Sequence, residues 1–321
     1  MLVSIICATY NHETVIKRCI DSVLGQDFVE WELIIVDDGS TDNTAAIVDE
    51  YCSKDSRIKV IHQAHNGIWK LCENYNAALY RASGTLIAIL EGDDFWPEWK
   101  LTNQVALHKM DVILSYGRAT IYDGTYHDSK APPFQGSLSS QDFMKYLLTR
   151  QAAIVPVTMI IQRDALTKIG GFKCHNSYPA TDFPTILELS QLAGNIVWSS
   201  ACLGYYSIHS NQVTKTLGVE IAMGALIIKR EFFDGNAVFA SLREESQAAD
   251  QRILSDAYLA QARYGLLNRD KSVVKIAIIG LWKYGGRKRK IQAIYSFVAM
   301  YTGWTMEPIL KMVKYMLNID T

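Results

Sequence analysis

Three carboxylates stand within four residues at Glu91-Gly92-Asp93-Asp94, directly behind an apolar run ending at Leu90 and ahead of Phe95-Trp96. Like charges this close repel one another, so a segment that keeps all three invites a counter-charge. A hard divalent cation, Mg2+ or Mn2+, suits such oxygens, with one or two carboxylates from the protein and diphosphate oxygens completing its shell. Gly92 would let the backbone approach those phosphates without a side chain in the way. A second acidic pair sits in Val36-Asp37-Asp38-Gly39-Ser40-Thr41-Asp42. A carboxylate here accepts a hydrogen bond from a base N–H or a ribose hydroxyl; alternatively Asp38 or Ser40 merely caps the helix that follows. Thr9-Tyr10-Asn11 ends the first apolar run and lacks the G-x-G-x-x-G of a dinucleotide cradle, which disfavours a dehydrogenase. Read alone, that tripeptide is equally a polar strand-to-helix loop. Further on, Gly170-Gly171-Phe172 precedes Thr181-Asp182-Phe183, where Asp182 has two readings, a general base or a helix cap.

These residues are useful only if the fold brings them together. The first 116 residues alternate β-rich apolar runs with amphipathic stretches, the pattern of a parallel α/β sheet. Strands are predicted at 2–9, 31–36, 58–62, 85–90 and 112–116, with helices near 14–25, 42–52, 68–82 and 97–110. Ser40 or Thr41 would cap the second helix, and Pro97 suits the first turn of the fourth. Each chemical cluster then falls at a strand end, the edge where open α/β sheets bind ligands. Residues 123–137 carry two prolines and read as a surface loop or lid, 139–218 mix helices and strands, and 219–268 predict two longer helices.

The 321 residues suffice for one large domain with an appendage, and a net charge of −1 gives no reason to expect nucleic-acid binding. Six scattered cysteines show no metal-like spacing and are expected as free thiols in a reducing compartment. With no signal-peptide pattern and no apolar run long enough to span a bilayer, a cytoplasmic protein is expected. From 272 to 321 the character changes: eight Lys and Arg stand against two acids among aromatic-rich apolar runs. Such a segment lies in an anionic membrane interface, or packs as a helical subdomain on the core or on the second subunit of a homodimer.

Taken together, Thr9-Tyr10-Asn11, the DDGSTD run at 37–42, Asn66-Gly67 and the GDD run at 92–94 resemble family 2 glycosyltransferases. From Asn66 through EGDDFW to Lys100-Leu101 and Gln104 the chain is similar to bacterial members that build surface polysaccharides. The likeness covers roughly residues 1–210, densely to 105. It implies a GT-A fold over 1–218, with a nucleotide-binding half at 1–116 and an acceptor-binding half at 117–218, followed by a helical C-terminal extension over 219–321. By the same resemblance Thr9 and Asn11 line the nucleotide pocket, Tyr10 lies near the base, Asp37 holds the uracil and Asp38 sits beside it. Asn66 and Gly67 match a loop that closes over ribose and sugar. Its following basic motif is not kept, and Lys70 or Asn74 stands in. Glu91-Gly92-Asp93 occupies the D-x-D position, with Asp93 and Asp94 as metal ligands and Glu91 on the ribose or a metal-bound water. Asp182 falls at the catalytic Glu-Asp, whose first member is here Thr181. His209 matches a late histidine near the diphosphate, or is a surface histidine.

The implied reaction is an inverting transfer from a UDP-sugar, or another nucleotide diphosphate sugar, to a hydroxyl of a free or polyprenyl-linked glycan. Asp182 would take the acceptor proton while the metal offsets charge on the leaving diphosphate. A sugar nucleotidyltransferase would need a Gly-rich basic loop in place of ATYNHETVIKR. A catalytically silent glycan-binding or scaffold protein would have no use for the acids at 37, 38, 91, 93, 94 and 182.

Overall fold

The computed structural model of the chain describes residues 1–109, 111–122, 125–128, 131–208 and 212–302. It divides into two compact units, Met1–Ser210 and Asn211–Thr321.

In the first unit the strands are β1 Val3–Thr9, β2 Trp31–Asp37, β3 Ile58–His62, β4 Leu86–Glu91, β5 Val112–Tyr122, β6 Tyr126–Asp128, β7 Gly136–Ser139, β8 Ile160–Gln162 and β9 Asn195–Ser207. The helices are α1 Ile16–Leu24, α2 Thr44–Lys54, α3 Leu71–Arg81, α4 Lys100–Val105, α5 Ser140–Leu148, α6 Arg163–Lys168 and α7 Asp182–Leu189. One mixed sheet runs β3-β2-β1-β4-β8-β5-β9-β7, with β6 paired to β5. Strands β1 to β4 are mutually parallel neighbours, and β5 and β9 are parallel to each other. The short β8 inserts antiparallel between β4 and β5. Central parallel strands are covered on both faces, which is why β1 and β2 are buried at every position and read as mainly apolar runs, with the buried Ser4 donating to Glu32 at 2.7 Å between them. Helix α1 buries Ile16, Cys19, Ile20 and Val23, an i, i+3, i+4, i+7 stripe, against Val3, Ile5 and Cys7.

Several expectations need correction. Ser40 and Thr41 do not cap α2: Asp42 accepts from Thr44 N at 2.9 Å, while Ser40 and Thr41 bond to Asn11. Strand β5 runs on to Tyr122, because β9 pairs with it as far as Tyr122–Ser207 despite irregularities at Gly117 and Arg118. The fourth helix is confined to α4, and the chain then turns through a Leu107 N–Gln104 O bond of 2.9 Å. Inside that corner Trp96 donates to Val157 O at 2.8 Å, and the fully buried Lys100 places its ammonium 4.3 Å from the Trp96 ring centre. Part of the predicted loop at 123–137 is structured as β6 and the start of β7. Of the six thiols, Cys72 and Cys174 are joined in a disulfide with Cα atoms 5.5 Å apart, although 102 residues separate them. The other four, Cys7, Cys19, Cys52 and Cys202, are free thiols, as expected.

The second unit is helical: α8 Val213–Thr216, α9 Gly218–Gly235, α10 Arg243–Leu267, α11 Lys271–Tyr284 and α12 Arg287–Thr302. Lys229 of α9 and Asp250 of α10 form a buried ion pair at 2.6 Å. Asp270 caps α11 by accepting from Ser272 N and Val273 N at 2.9 and 3.2 Å. Among the described residues no helix is long and apolar enough to cross a membrane.

Candidate active site

The sheet register draws the sequence clusters into one row. Thr9 lies beside Asp37, and Ala8 lies beside Glu91. Because β2 and β3 extend from one side of β1 while β4 lies on the other, the strand order reverses beside β1, and a crevice forms at such a point. Thr9 O accepts from Asp38 N at 2.9 Å, and Ala8 O accepts from Gly92 N at 3.0 Å, so β1 carries both acidic turns. Asn11 sits at φ 54°, in the left-handed region that Asn tolerates, and its Oδ1 accepts from Thr41 N at 2.8 Å.

On the β2 side both carboxylates are buried and engaged. Asp37 accepts from Ser40 N at 3.2 Å and meets His62 Nδ1 at 3.1 Å, while His62 Nε2 meets Asp49 at 2.9 Å. The Asp49 carboxylate foremost, then Asp37, lifts the His62 pKa against the opposing effect of burial. Asp38 accepts from Gln63 Nε2 and Asn66 N at 3.1 Å each, and from Gly67 N at 3.2 Å. Burial alone would raise its pKa; these donors outweigh burial and hold it below the ordinary value. Asp38 thus shapes the 63–67 loop, where Gly67 adopts φ 78°. Asn74 is buried behind that loop and accepts from Gln63, whereas Lys70 points outward to Glu73 at 3.4 Å. The His65 ring stacks on Tyr10 with centroids 4.0 Å apart, and its Nδ1 lies 2.9 Å from Asp38 Oδ2. Sequence reasoning passed over His62, Gln63 and His65, although they directly precede the flagged Asn66-Gly67.

At the end of β4, ligand oxygens of Glu91, Asp93 and Asp94 lie within 4.8 Å of one another. Asp94 Oδ1 accepts from Ser207 N at 2.8 Å, but Asp94 Oδ2 is buried with no hydrogen-bond partner. Burial, then the Asp93 charge, pushes the Glu91 pKa up to about 8, partly relieved by the Tyr75 hydroxyl at 3.1 Å. Burial, then Asp93 and Glu91, also raises Asp94. Three crowded acids and one orphaned carboxylate oxygen fit a divalent cation. The turn is braced from behind by Arg18, whose Nη2 donates to Asp93 O at 3.3 Å and Ser207 Oγ at 3.0 Å. The Arg18 guanidinium also lies over the Phe95 ring at 4.3 Å, and Phe95 stacks on Tyr205 at 4.6 Å. Gly92 is also required by the packing of the chain itself. A Cβ there would stand 2.6 Å from Thr9 Oγ1 and 2.7 Å from His12 Nδ1, so glycine admits the β1 loop itself.

Asp182 is the first residue of α7 and accepts from the Tyr178 hydroxyl at 3.0 Å. Burial raises its pKa, opposed by the Phe183 backbone N–H and by Tyr178. Its charge is felt by both Glu91 and Tyr75, which sets it within electrostatic reach of the acidic turn. Helix α3 is the common support. Tyr75 holds Glu91, Cys72 is bonded to Cys174, and the Asn76 amide exchanges two bonds with the Phe172 backbone at 2.8 and 2.9 Å. Gly171, at φ 88°, permits that clamp, since a Cβ would stand 2.4 Å from Asn76 Oδ1. His209 lies outside the described residues.

The sequence model of Glycosyl transferase family 2 matches residues 4–170. The putatively teichuronic-acid-synthesising glycosyltransferase TuaG of Bacillus subtilis is 31% identical over 218 residues, covering 66% of this chain and 81% of TuaG. WfaP of Escherichia coli, a UDP-Glc:alpha-D-GlcNAc-diphosphoundecaprenol beta-1,3-glucosyltransferase, is 30% identical over 233 residues, covering 71% of this chain and 86% of WfaP. EpsJ of Bacillus subtilis, an uncharacterised glycosyltransferase, is 38% identical over 115 residues, and there the match spans only 33% of that relative. The fold is shared with S. aureus TarS 1-349 bound to UDP-GlcNAc, at TM-score 0.56 and 21% identity over 85% of this chain and 88% of that one. It is also shared with the Pyrobaculum calidifontis mannosyltransferase PcManGT bound to GDP-Man and Mn2+, at TM-score 0.58 and 17% identity over 94% and 87%.

Proposed function

Since the chain belongs to glycosyl transferase family 2 and is a glycosyltransferase, we propose that it transfers a sugar from UDP to a hydroxyl of a diphospho-polyprenyl-linked glycan, inverting the anomeric carbon. The observation that carries this reading is the pairing of the Glu91-Asp93-Asp94 cluster with Asp182, a carboxylate at the start of a separate helix within its electrostatic reach. The nucleotide would lie along the β1 and β2 ends, with Asp37 at the base, Thr9, Tyr10 and Asn11 lining the pocket and Asn66-Gly67 closing over the ribose. Lys70, turned outward, contributes less to this pocket than the buried Asn74 behind Asp38.

Asp93 and Asp94 would hold Mg2+ or Mn2+. Once bound, the cation neutralises charge gathering on the departing diphosphate. The protein does the rest. Asp182 accepts the proton of the acceptor hydroxyl as that oxygen bonds to the anomeric carbon, and the carbon–oxygen bond to phosphate breaks with its electrons leaving on UDP. Tyr178 fixes the Asp182 carboxylate by its hydrogen bond, and Arg18 keeps the acidic turn from rotating away. UDP is favoured as the donor carrier by the WfaP relative, whose name specifies UDP-Glc and a diphosphoundecaprenol acceptor. The nucleotidyltransferase alternative finds no support, because the loop after β1 offers no Gly-rich cradle.

The experiment is a screen of radiolabelled UDP-sugars for Mn2+-dependent UDP release by the purified chain, with and without lipid-linked acceptor. Release that rises with one sugar and with acceptor supports the proposal. No release above the metal-free control with any sugar would identify a silent glycan-binding protein instead.

A further inference from the structure

Helices α11 and α12 carry large apolar side chains on their outward faces as well as apolar residues on their buried ones. Toward its neighbours α12 presents Gln292, Ala293, Ser296, Ala299 and Met300, small or polar in the main. Outward it presents Ile294, Phe297, Val298 and Tyr301, spaced so that they share one face, each at least 41% exposed. The outward face of α11 repeats the pattern with Ile276, Ile279 and Trp282, the last 49% exposed. A water-facing surface of this size and composition is rarely left bare.

Charge says what covers it. Residues 271–302 contain seven Lys and Arg and no Asp or Glu. Arg289 is turned back onto Asp256, but others ride on the exposed aromatics: Lys290 Nζ lies 5.7 Å from the Trp282 ring centre and Lys271 Nζ 5.2 Å from that of Tyr301. Arg287 and Lys288 stand exposed at the head of α12. In a twofold pairing this face would meet itself, and cations would confront cations. An anionic bilayer surface meets both needs at once. Aromatic and branched side chains enter the headgroup boundary while lysine stems reach back to the phosphates. We propose that the outward face of α11 and α12 docks the protein reversibly on an anionic membrane. With no helix among the described residues able to span, the attachment is peripheral. This inference stands apart from the reaction assigned above, because docking is read without turnover.

The test is flotation of the full chain with phosphatidylcholine vesicles, with or without phosphatidylglycerol, at low and high salt. Binding should need the anionic lipid and weaken with salt. Each cation near such a surface is worth about a fivefold factor, so Arg287→Gln with Lys288→Gln should lower partitioning about 25-fold. Trp282→Gln with Phe297→Gln should lower it at least about tenfold while leaving the melting temperature and oligomeric state unchanged. Equal binding to neutral vesicles would overturn the charge argument. Absence of vesicle binding would overturn the proposal outright. So would a Trp282→Gln, Phe297→Gln variant that turns a dimer into a monomer, or that melts lower because residues 303–321 normally cover the face.

Discussion

Replacing Asp182 by Asn removes one proton acceptor and little else. The volume is unchanged, and the amide oxygen still accepts from the Tyr178 hydroxyl now 3.0 Å away, so the start of α7 should keep its geometry. A positioned general base contributes about a hundredfold or more, equivalent to about 2.7 kcal/mol of barrier. The expected result is therefore a fall of at least about a hundredfold in kcat for transfer, with UDP affinity within about twofold of wild type, since the base touches the acceptor proton and not the nucleotide. The pH profile adds a second reading. Burial holds Asp182 above the ordinary carboxylate range, so the base form is lost as pH falls through that raised value, and wild-type transfer should show an acidic limb there. Tyr178→Phe removes a hydrogen bond to the charged form, worth about 1.5–3 kcal/mol, and should move that limb upward by about one to two pH units. Single-turnover transfer with labelled donor and lipid-linked acceptor, run across pH, measures all three. Retained turnover in Asp182→Asn would reduce Asp182 to a helix-capping residue, and lost UDP binding would place it in the donor pocket.

Two further outcomes test the scaffold. Gly92→Ala forces a Cβ to 2.6 Å from Thr9 Oγ1, and should cost about 1–3 kcal/mol in a chemical melt while weakening UDP binding through the displaced turn. Glu32 is held at about 2, below its ordinary 4.5: burial raises it, but Lys59, Ser4 and the Ser83 backbone N–H lower it further. Its carboxylate thus stabilises the fold above its ordinary pKa, an effect lost as pH falls toward 2. Glu32→Gln should cost about 2–3 kcal/mol at neutral pH, and the gap to wild type should close as pH drops from about 4.5 to about 2.

The strands that carry the site were legible because they are central. β1, β2 and β4 are covered on both faces, so their runs are mainly apolar and end where the polar turns begin. Their carboxylates announced themselves by crowding, which a solvated turn does not require. The three-residue β8, with only Ile160-Ile161-Gln162, carries no period to read, and β5 was cut short where Gly117 admits Leu203 to a close approach. The supports of the site were hidden by distance along the chain. Arg18 reads as a polar residue on an amphipathic helix, yet it braces Asp93 and Ser207, 75 and 189 residues away. Tyr75 gave no sign of its bond to Glu91, nor Cys72 of its pairing with Cys174, since neither depends on local spacing. Ser40 and Thr41 were misassigned because capping and loop-stitching demand the same short hydroxyl side chains, and only the position of Asn11 decides between them.

The central claim is that the acidic turn after β4 holds a divalent cation for the nucleotide diphosphate, and calorimetry of UDP binding with and without Mn2+ tests it most directly. Wild-type protein should bind UDP more tightly when Mn2+ is present, and Asp93→Ala should lose that increment while melting cooperatively near the wild-type temperature. An Asp93→Ala protein whose UDP affinity still rises with Mn2+ as in wild type would contradict the account.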